Sequence, residues 1–146
     1  MNKKLPNGTK VVVIGGGVVG CSCAYHLAKA GWTDCVLLEK NELTAGSTWH
    51  AAGNVPTFST SWSIMNMQRY STELYSNLGD EVDYPMNYNV TGSIRLGHSK
   101  ERLQEFQRAK GMGLYQGMNI EILDNSEIKK LYPFIETHEI QGALYD

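Results

Sequence analysis

Apolar and polar positions change period repeatedly along the amino-terminal stretch. "KVVVIGGG" (10–17) is an unbroken β-branched run that ends in glycines, the pattern of a buried parallel strand. "VVGCSCAYHLAKAGW" (18–32) then repeats Val19, Cys23, His26, Leu27 and Ala30 at helical spacing, with Gly31 placed as the stop. "DCVLLEK" (34–40) is a second short apolar run. Strand, glycine turn, helix and strand predict a βαβ unit with a right-handed crossover.

The pattern loosens after Lys40. Residues 41–58 are small, polar and irregular, a loop. "SWSIMNMQRYSTELYSNLG" (61–79) predicts a helix with Met67, Tyr70, Leu74 and Leu78 on its apolar stripe and Gly79 as its end. "NYNVTGSIRLGH" (87–98) alternates around Gly92, which reads as a strand with a bulge or as a hairpin. "SKERLQEFQRAKGMG" (99–113) is amphipathic and helical, and "NIEILD" (119–124) is a short strand. Asp124 and Glu127 form a capping box for "SEIKKLYP", Pro133 stops that helix, and "IQGALYD" (140–146) begins one more strand.

The fold class expected is α/β: a Rossmann-like βαβ unit, cofactor-binding over 8–82, followed over 83–146 by the start of a second, mostly β substrate domain. Two clear parallel strands fall short of a doubly wound sheet. The fold is therefore expected to be incomplete, the amino-terminal part of something longer. Unpaired edges and a half-covered core are expected to make the isolated chain poorly soluble.

Composition narrows the partners. Hydrophobic residues make up 42% of the 146 and charged residues 19%, an ordinary globular balance. A net charge of −2 with no basic block argues against nucleic acid. No apolar run approaches the length of a membrane span. "MNKKLPNGTK" leads into a run too short and glycine-rich for a signal-peptide core, and no arginine-rich presequence is visible. The expected location is the cytoplasm of a bacterium, or the mitochondrial matrix in a eukaryote. Cys21, Cys23 and Cys35, with no CxxC spacing, give neither a disulfide framework nor a zinc site, and they read as small buried thiols.

The chemistry concentrates in "GGGVVG" (15–20), a Gly15-x-Gly17-x-x-Gly20 turn with a strand before it and a helix after it. Gly15 permits the tight turn, Gly17 the approach of a pyrophosphate to the backbone, and Gly20 the packing of helix on strand. The helix amino terminus offers N–H groups and partial positive charge to the phosphates. Glu39 ends the second strand about twenty residues beyond Gly20, where a carboxylate accepts from a ribose diol and repels a 2′-phosphate. NADP is thereby disfavoured, while the turn alone leaves NAD and FAD open.

The stretch "VVVIGGGVVGCSCAYHLAKAGWTDCVLLEKNELTAGSTWHAAG", and most specifically "LLEKNELTAGSTWHAAG", resembles the amino terminus of the dimethylglycine dehydrogenase and sarcosine dehydrogenase family of amino-acid-oxidase-like flavoenzymes. The resemblance implies FAD as cofactor and a small N-methylated, glycine-type amine as substrate. It implies reoxidation by an electron-transfer flavoprotein or by oxygen, and a folate-binding region in a carboxy-terminal part. Gly15, Gly17, Val18, Val19 and Gly20 match the family's pyrophosphate turn. Glu39, followed by Lys40, matches the acid on the adenosine ribose. Gly46, Ser47, Thr48, Trp49, His50, Ala51, Ala52, Gly53 and Asn54 match the loop along the flavin, and His50 matches the histidine that carries FAD covalently.

The residue types suit those roles. A flavin tether needs a nucleophile that is uncharged near neutral pH, which imidazole supplies. Ala51, Ala52 and Gly53 let backbone lie against a cofactor, and Ser47 and Thr48 bring hydroxyl donors. The alternative for His50 is an unbonded side chain packed beside the ring, and Trp49 reads as packing. His26, His98, His138 and Arg69 carry no site, Arg69 reading as solvent-facing or ion-paired. No catalytic acid or base is nominated, and the isolated chain is not expected to turn over substrate. Two other readings stand beside the amine dehydrogenase or oxidase: another flavin amino-acid oxidase or deaminase, and a non-catalytic FAD-binding regulatory subunit.

Overall fold

A computed structural model describes residues 6–146, which cluster into two compact units that divide between Asn54 and Val55. The boundary expected after residue 82 concerns function, and this division concerns compactness.

In the first unit, β1 (Val11–Ile14), α1 (Val18–Lys29) and β2 (Cys35–Leu38) form the expected βαβ unit. The strands are parallel, with Val11 opposite Cys35 and Ile14 opposite Leu38. The Gly15 amide extends the pairing by donating to the Leu38 carbonyl at 2.8 Å. Gly31 takes φ +84° directly after the helix, as its position predicts.

The expected apolar stripe of α1 is out of phase. Val19 is 73% exposed and Cys23 is exposed, whereas Gly20, Cys21, Ala24 and Leu27 are half-buried. Gly20 sets this rotation, because a Cβ there would run into the Gly15 carbonyl. The helix turns its smallest residue toward the strand, and larger neighbours rotate outward. Cys23 is therefore not the buried thiol expected of it, while Cys21 and Cys35 are half-buried. Nor is β1 buried on both faces: Val11 and Val13 are half-buried, and Val12 and Ile14 are exposed.

The second unit contains α2 (Trp62–Glu81), β3 (Ile94–Gly97), α3 (Lys100–Tyr115), β4 (Glu121–Leu123), α4 (Asn125–Leu131) and β5 (Gly142–Tyr145). Its antiparallel sheet has the order β3-β5-β4. Alternate residues of the central strand feed two cores. Leu144 joins Phe58, Met65, Phe106, Ala109 and Ile120, and Ala143 joins Leu123, Ile128 and Ile140. Helix α2 groups with this sheet because Met65, fully buried, belongs to the first of those cores.

The capping box at α4 is present in full: Asp124 accepts from the Ser126 and Glu127 amides, and the Glu127 carboxylate accepts from the Asp124 amide at 2.9 Å. Three expectations change. Helix α2 runs past Gly79 to Glu81, so that glycine is interior and not a stop. Of the expected stripe, Leu74 and Leu78 are half-buried but Met67 and Tyr70 are exposed, and the inward side of α2 also runs through buried Met65 and half-buried Gln68, Thr72 and Tyr75. Only Ile94–Gly97 of the 87–98 stretch is strand, and Gly92, at φ +73°, makes neither a bulge nor a hairpin. Arg69 is exposed, as expected, and its Nη1 also donates to the Gln116 carbonyl at 3.0 Å, tying α2 to the end of α3.

Candidate functional site

The candidate site lies within the first unit, where the glycine turn, the end of β2 and the loop after it meet. Gly15 reverses the chain at φ +106°, a backbone closed to other residues without strain. Gly16 is buried, and its amide donates to Glu39 Oε2 at 2.6 Å. The other oxygen, Glu39 Oε1, accepts from the Asn41 amide at 2.9 Å. The amides of Asn41 and then Gly16 hold this carboxyl below the usual carboxylate range, assisted by the neighbouring Lys40 charge. It is an acceptor-only group with lone pairs to spare for further donors.

The loop folds back onto the turn. The Thr44 amide donates to the Gly16 carbonyl at 2.9 Å. Thr48 Oγ1 accepts from the Val18 amide at 2.9 Å. Gly17, the N-cap of α1, has no side chain to cap the helix, and the Thr48 hydroxyl supplies the cap from a distant part of the chain. Residues 44–51 form successive turns: the Trp49 amide donates to the Thr44 and Gly46 carbonyls, and the Ala51 amide to that of Thr48. Nδ1 of His50 lies 3.1 Å from the Gly46 carbonyl. A carbonyl only accepts, so Nδ1 carries the proton in the neutral ring, and Nε2 keeps the lone pair.

The fold thus brings Glu39 to the glycine turn through Gly16 and Thr48 to the helix start through Val18, with Gly15, Gly17 and Gly20 forming the turn between them. It leaves Val19, Lys40, Gly46, Ser47, His50, Ala51, Ala52, Gly53 and Asn54 on the exposed side of that turn or of the loop. Trp49, expected to pack, is 77% exposed. Three participants escaped the sequence reading. Gly16 needs its missing side chain, since a Cβ would sit 2.6 Å from Leu43 Cδ2 and 3.0 Å from Glu39 Cβ. Asn41 and Thr44 act through backbone amides. The middle glycine of "GGG", beyond what the Gly15-x-Gly17 spacing requires, was the available signal for Gly16.

The residues fit a dinucleotide. No acidic side chain occupies the first turn of α1, so nothing negative competes there with a phosphate for the helix's positive end. A Cβ at Gly17 would meet only the Thr48 hydroxyl, at 3.1 Å. An ionised carboxylate stands at the end of β2, where a ribose diol is met. Among the described residues no cluster of His, Cys, Asp and Glu has the makings of a metal site, and no helix is long and apolar enough to cross a membrane.

The family model described as FAD dependent oxidoreductase matches residues 10–146. Mitochondrial dimethylglycine dehydrogenase of Rattus norvegicus is 41% identical over 137 residues, which is 94% of this chain and 16% of that protein. The mitochondrial pyruvate dehydrogenase phosphatase regulatory subunit of Mus musculus is 39% identical over 141 residues, 97% of this chain and 16% of that protein. Among solved structures, L-proline dehydrogenase from P. horikoshii matches with a TM-score of 0.89 and 25% identity, over 97% of this chain and 37% of that one. The chain spans about a sixth of the length of these curated relatives.

Proposed function

The chain belongs to the FAD dependent oxidoreductase family, and from that membership we propose that it forms part of the FAD site of a dehydrogenase or oxidase acting on N-methylated glycine-type amines. The observation that carries the reading is the Gly16–Glu39 hydrogen bond of 2.6 Å, which fixes the pyrophosphate turn against the ribose-binding acid. The 41% identity to a dimethylglycine dehydrogenase supports the substrate class.

FAD, when bound, supplies the electron acceptor for amine oxidation. The chain's own residues bind and orient it. Gly17 and the α1 amino terminus hold the pyrophosphate, and Glu39 accepts from the adenosine ribose. Residues 46–54 line the flavin side, and Lys40 sets the charge beside the acid. His50 is the tether. Its Nδ1 proton is engaged by the Gly46 carbonyl, which leaves Nε2 as the nucleophilic atom. Electrons leave through an electron-transfer flavoprotein or oxygen, and a folate-binding region belongs to a part of the protein beyond this chain.

The test uses the full-length protein. Anaerobic dimethylglycine or sarcosine is expected to bleach the flavin's visible absorption. After denaturation, the tryptic peptide containing residue 50 is expected to keep the flavin mass, and His50→Ala to bind FAD only non-covalently. An unmodified peptide with all flavin free sinks the tether and leaves the amine reading intact. The 39% identity to a phosphatase regulatory subunit favours a second reading, a non-catalytic FAD-binding regulatory chain. Flavin that is bound but inert to every N-methyl amine would select it.

A further inference from the structure

Residues 46–54 form a surface strip of the first unit, and one side chain ties it down. Among the described residues, Thr48 is the one member of that strip whose side-chain hydrogen bond reaches outside it: Oγ1 accepts from the Val18 amide at 2.9 Å. Thr48 is half-buried, whereas Gly46, Ser47, Trp49, His50 and Ala51 around it are exposed. The hydroxyl lies over the glycine turn, because a Cβ on Gly17 would stand 3.1 Å from it.

The other bonds of the strip knot it to itself. The His50 amide donates to the Ser47 carbonyl at 3.1 Å, and the Ala51 amide donates to the Thr48 carbonyl at 3.2 Å. Nδ1 of His50 donates to the Gly46 carbonyl, so the ring is bonded two residues before Thr48 and attached two residues after it. A backbone anchor precedes the strip, where the Thr44 amide donates to the Gly16 carbonyl at 2.9 Å. Between Thr44 and Thr48 stand Ala45, Gly46 and Ser47, small residues that bury little apolar surface to hold the segment. The position of the strip, and of His50 with it, is therefore set through the Thr48 hydroxyl. Accepting from Val18 uses one lone pair and leaves the hydroxyl proton to donate, so the anchor and a bound cofactor do not compete for it.

Segments that cover a bound ligand set how fast it leaves, and their local stability sets how often they open. We propose that Thr48 is a positioning residue for FAD: its hydroxyl holds residues 46–51 against the glycine turn and thereby sets how long the cofactor stays bound. This role rests on the flavin reading above and adds retention to it. Gly17, Glu39 and the α1 amino terminus remain when the hydroxyl is removed, so capture of FAD is expected to persist while its release quickens.

The test uses the full-length protein without and with cofactor. Without it, hydrogen exchange read by mass spectrometry follows the peptide covering 44–51. Thr48→Val keeps the shape and loses the acceptor; it is expected to quicken exchange there about fivefold, the effect of one lost cap, and Thr48→Ser to stay within about twofold of wild type. With cofactor, FAD release is followed by recovery of flavin fluorescence in a His50→Asn background, which keeps a donor for the Gly46 carbonyl and forbids any covalent hold. There Thr48→Val is expected to speed release about fivefold, with uptake within about twofold of its parent, and Thr48→Ser to restore slow release. Circular dichroism checks folding, and Thr48→Ala carries the same expectations should the valine disturb it. Unchanged exchange at 44–51 in Thr48→Val overturns the proposal. So does faster exchange with unchanged FAD release, which would make the hydroxyl a helix cap and nothing more. A wild type that takes up no FAD sinks the flavin reading and this role with it, a failure that the exchange measurement tells apart from loss of the anchor.

Discussion

Thr44 holds φ +67°, a left-handed backbone rarely adopted by a β-branched residue. It sits there because its amide reaches the Gly16 carbonyl while its own carbonyl receives the Trp49 amide at 3.0 Å. Asparagine visits this conformation more easily, so Thr44→Asn is expected to raise stability by about 0.5–1 kcal/mol in thermal unfolding without cofactor. A lower melting temperature would show that the threonine side chain itself holds the loop. Glu39 has a pH signature. Its folded-state pKa is depressed by the Asn41 and Gly16 amides, so its stabilisation is fully present above the ordinary carboxylate value, about 4, and drains away as pH falls through the depressed one. The stability advantage of wild type over Glu39→Gln is expected to shrink on acidification below about pH 4. An advantage independent of pH would assign the effect to geometry and not to charge. Gly15, Gly20 and Glu39 were legible in the sequence because their positions demand a residue type. Asn41 and Thr44 were not, since they contribute backbone amides that every residue but proline possesses.

Two glycines of α3 separate propensity from packing within one helix. A Cβ on Gly111 meets nothing, whereas one on Gly113 would run into Ile120, a side chain only 1% exposed. Gly111→Ala is expected to gain about 0.5–1 kcal/mol. Gly113→Ala is expected to lose about 1–3 kcal/mol to overpacking, more than the propensity gain returns. Denaturant titration of both variants checks the contrast, and equal stabilisation by both would mean that Ile120 moves aside freely. Element identity was largely legible: the βαβ order, the 99–113 helix and the capping box at Asp124 are local patterns, and the structure contains them. Rotational phase was legible only in part, as Leu74 and Leu78 of the expected α2 stripe are half-buried. The stripe through Met67 and Tyr70 in α2 was chosen by hydrophobicity, yet Gln68 and Thr72 lie on the side that packs. Helix phase answers to the partner surface, which lies elsewhere in the chain.

At the scale of the whole molecule, the first unit carries an apolar surface that it does not cover. Val12, Ile14 and Leu38 of its two strands are 49%, 84% and 40% exposed, whereas parallel sheets are ordinarily covered on both faces. The 146-residue chain on its own is expected to bind the dye ANS strongly and to self-associate as concentration rises. A monomer that leaves ANS dark at high concentration would show that this surface is closed in solution. The distant cap of α1 sets the order in which the first unit matures. The Thr48 hydroxyl that satisfies the Val18 amide lies 30 residues further along the chain. At ribosomal rates of about 5–20 residues per second, it follows that amide by roughly 1.5–6 s. During this interval the nascent glycine turn has its strand and its helix but not its clasp. Any helper protein that receives the emerging chain meets the glycine turn open, before the loop that fastens it has been made.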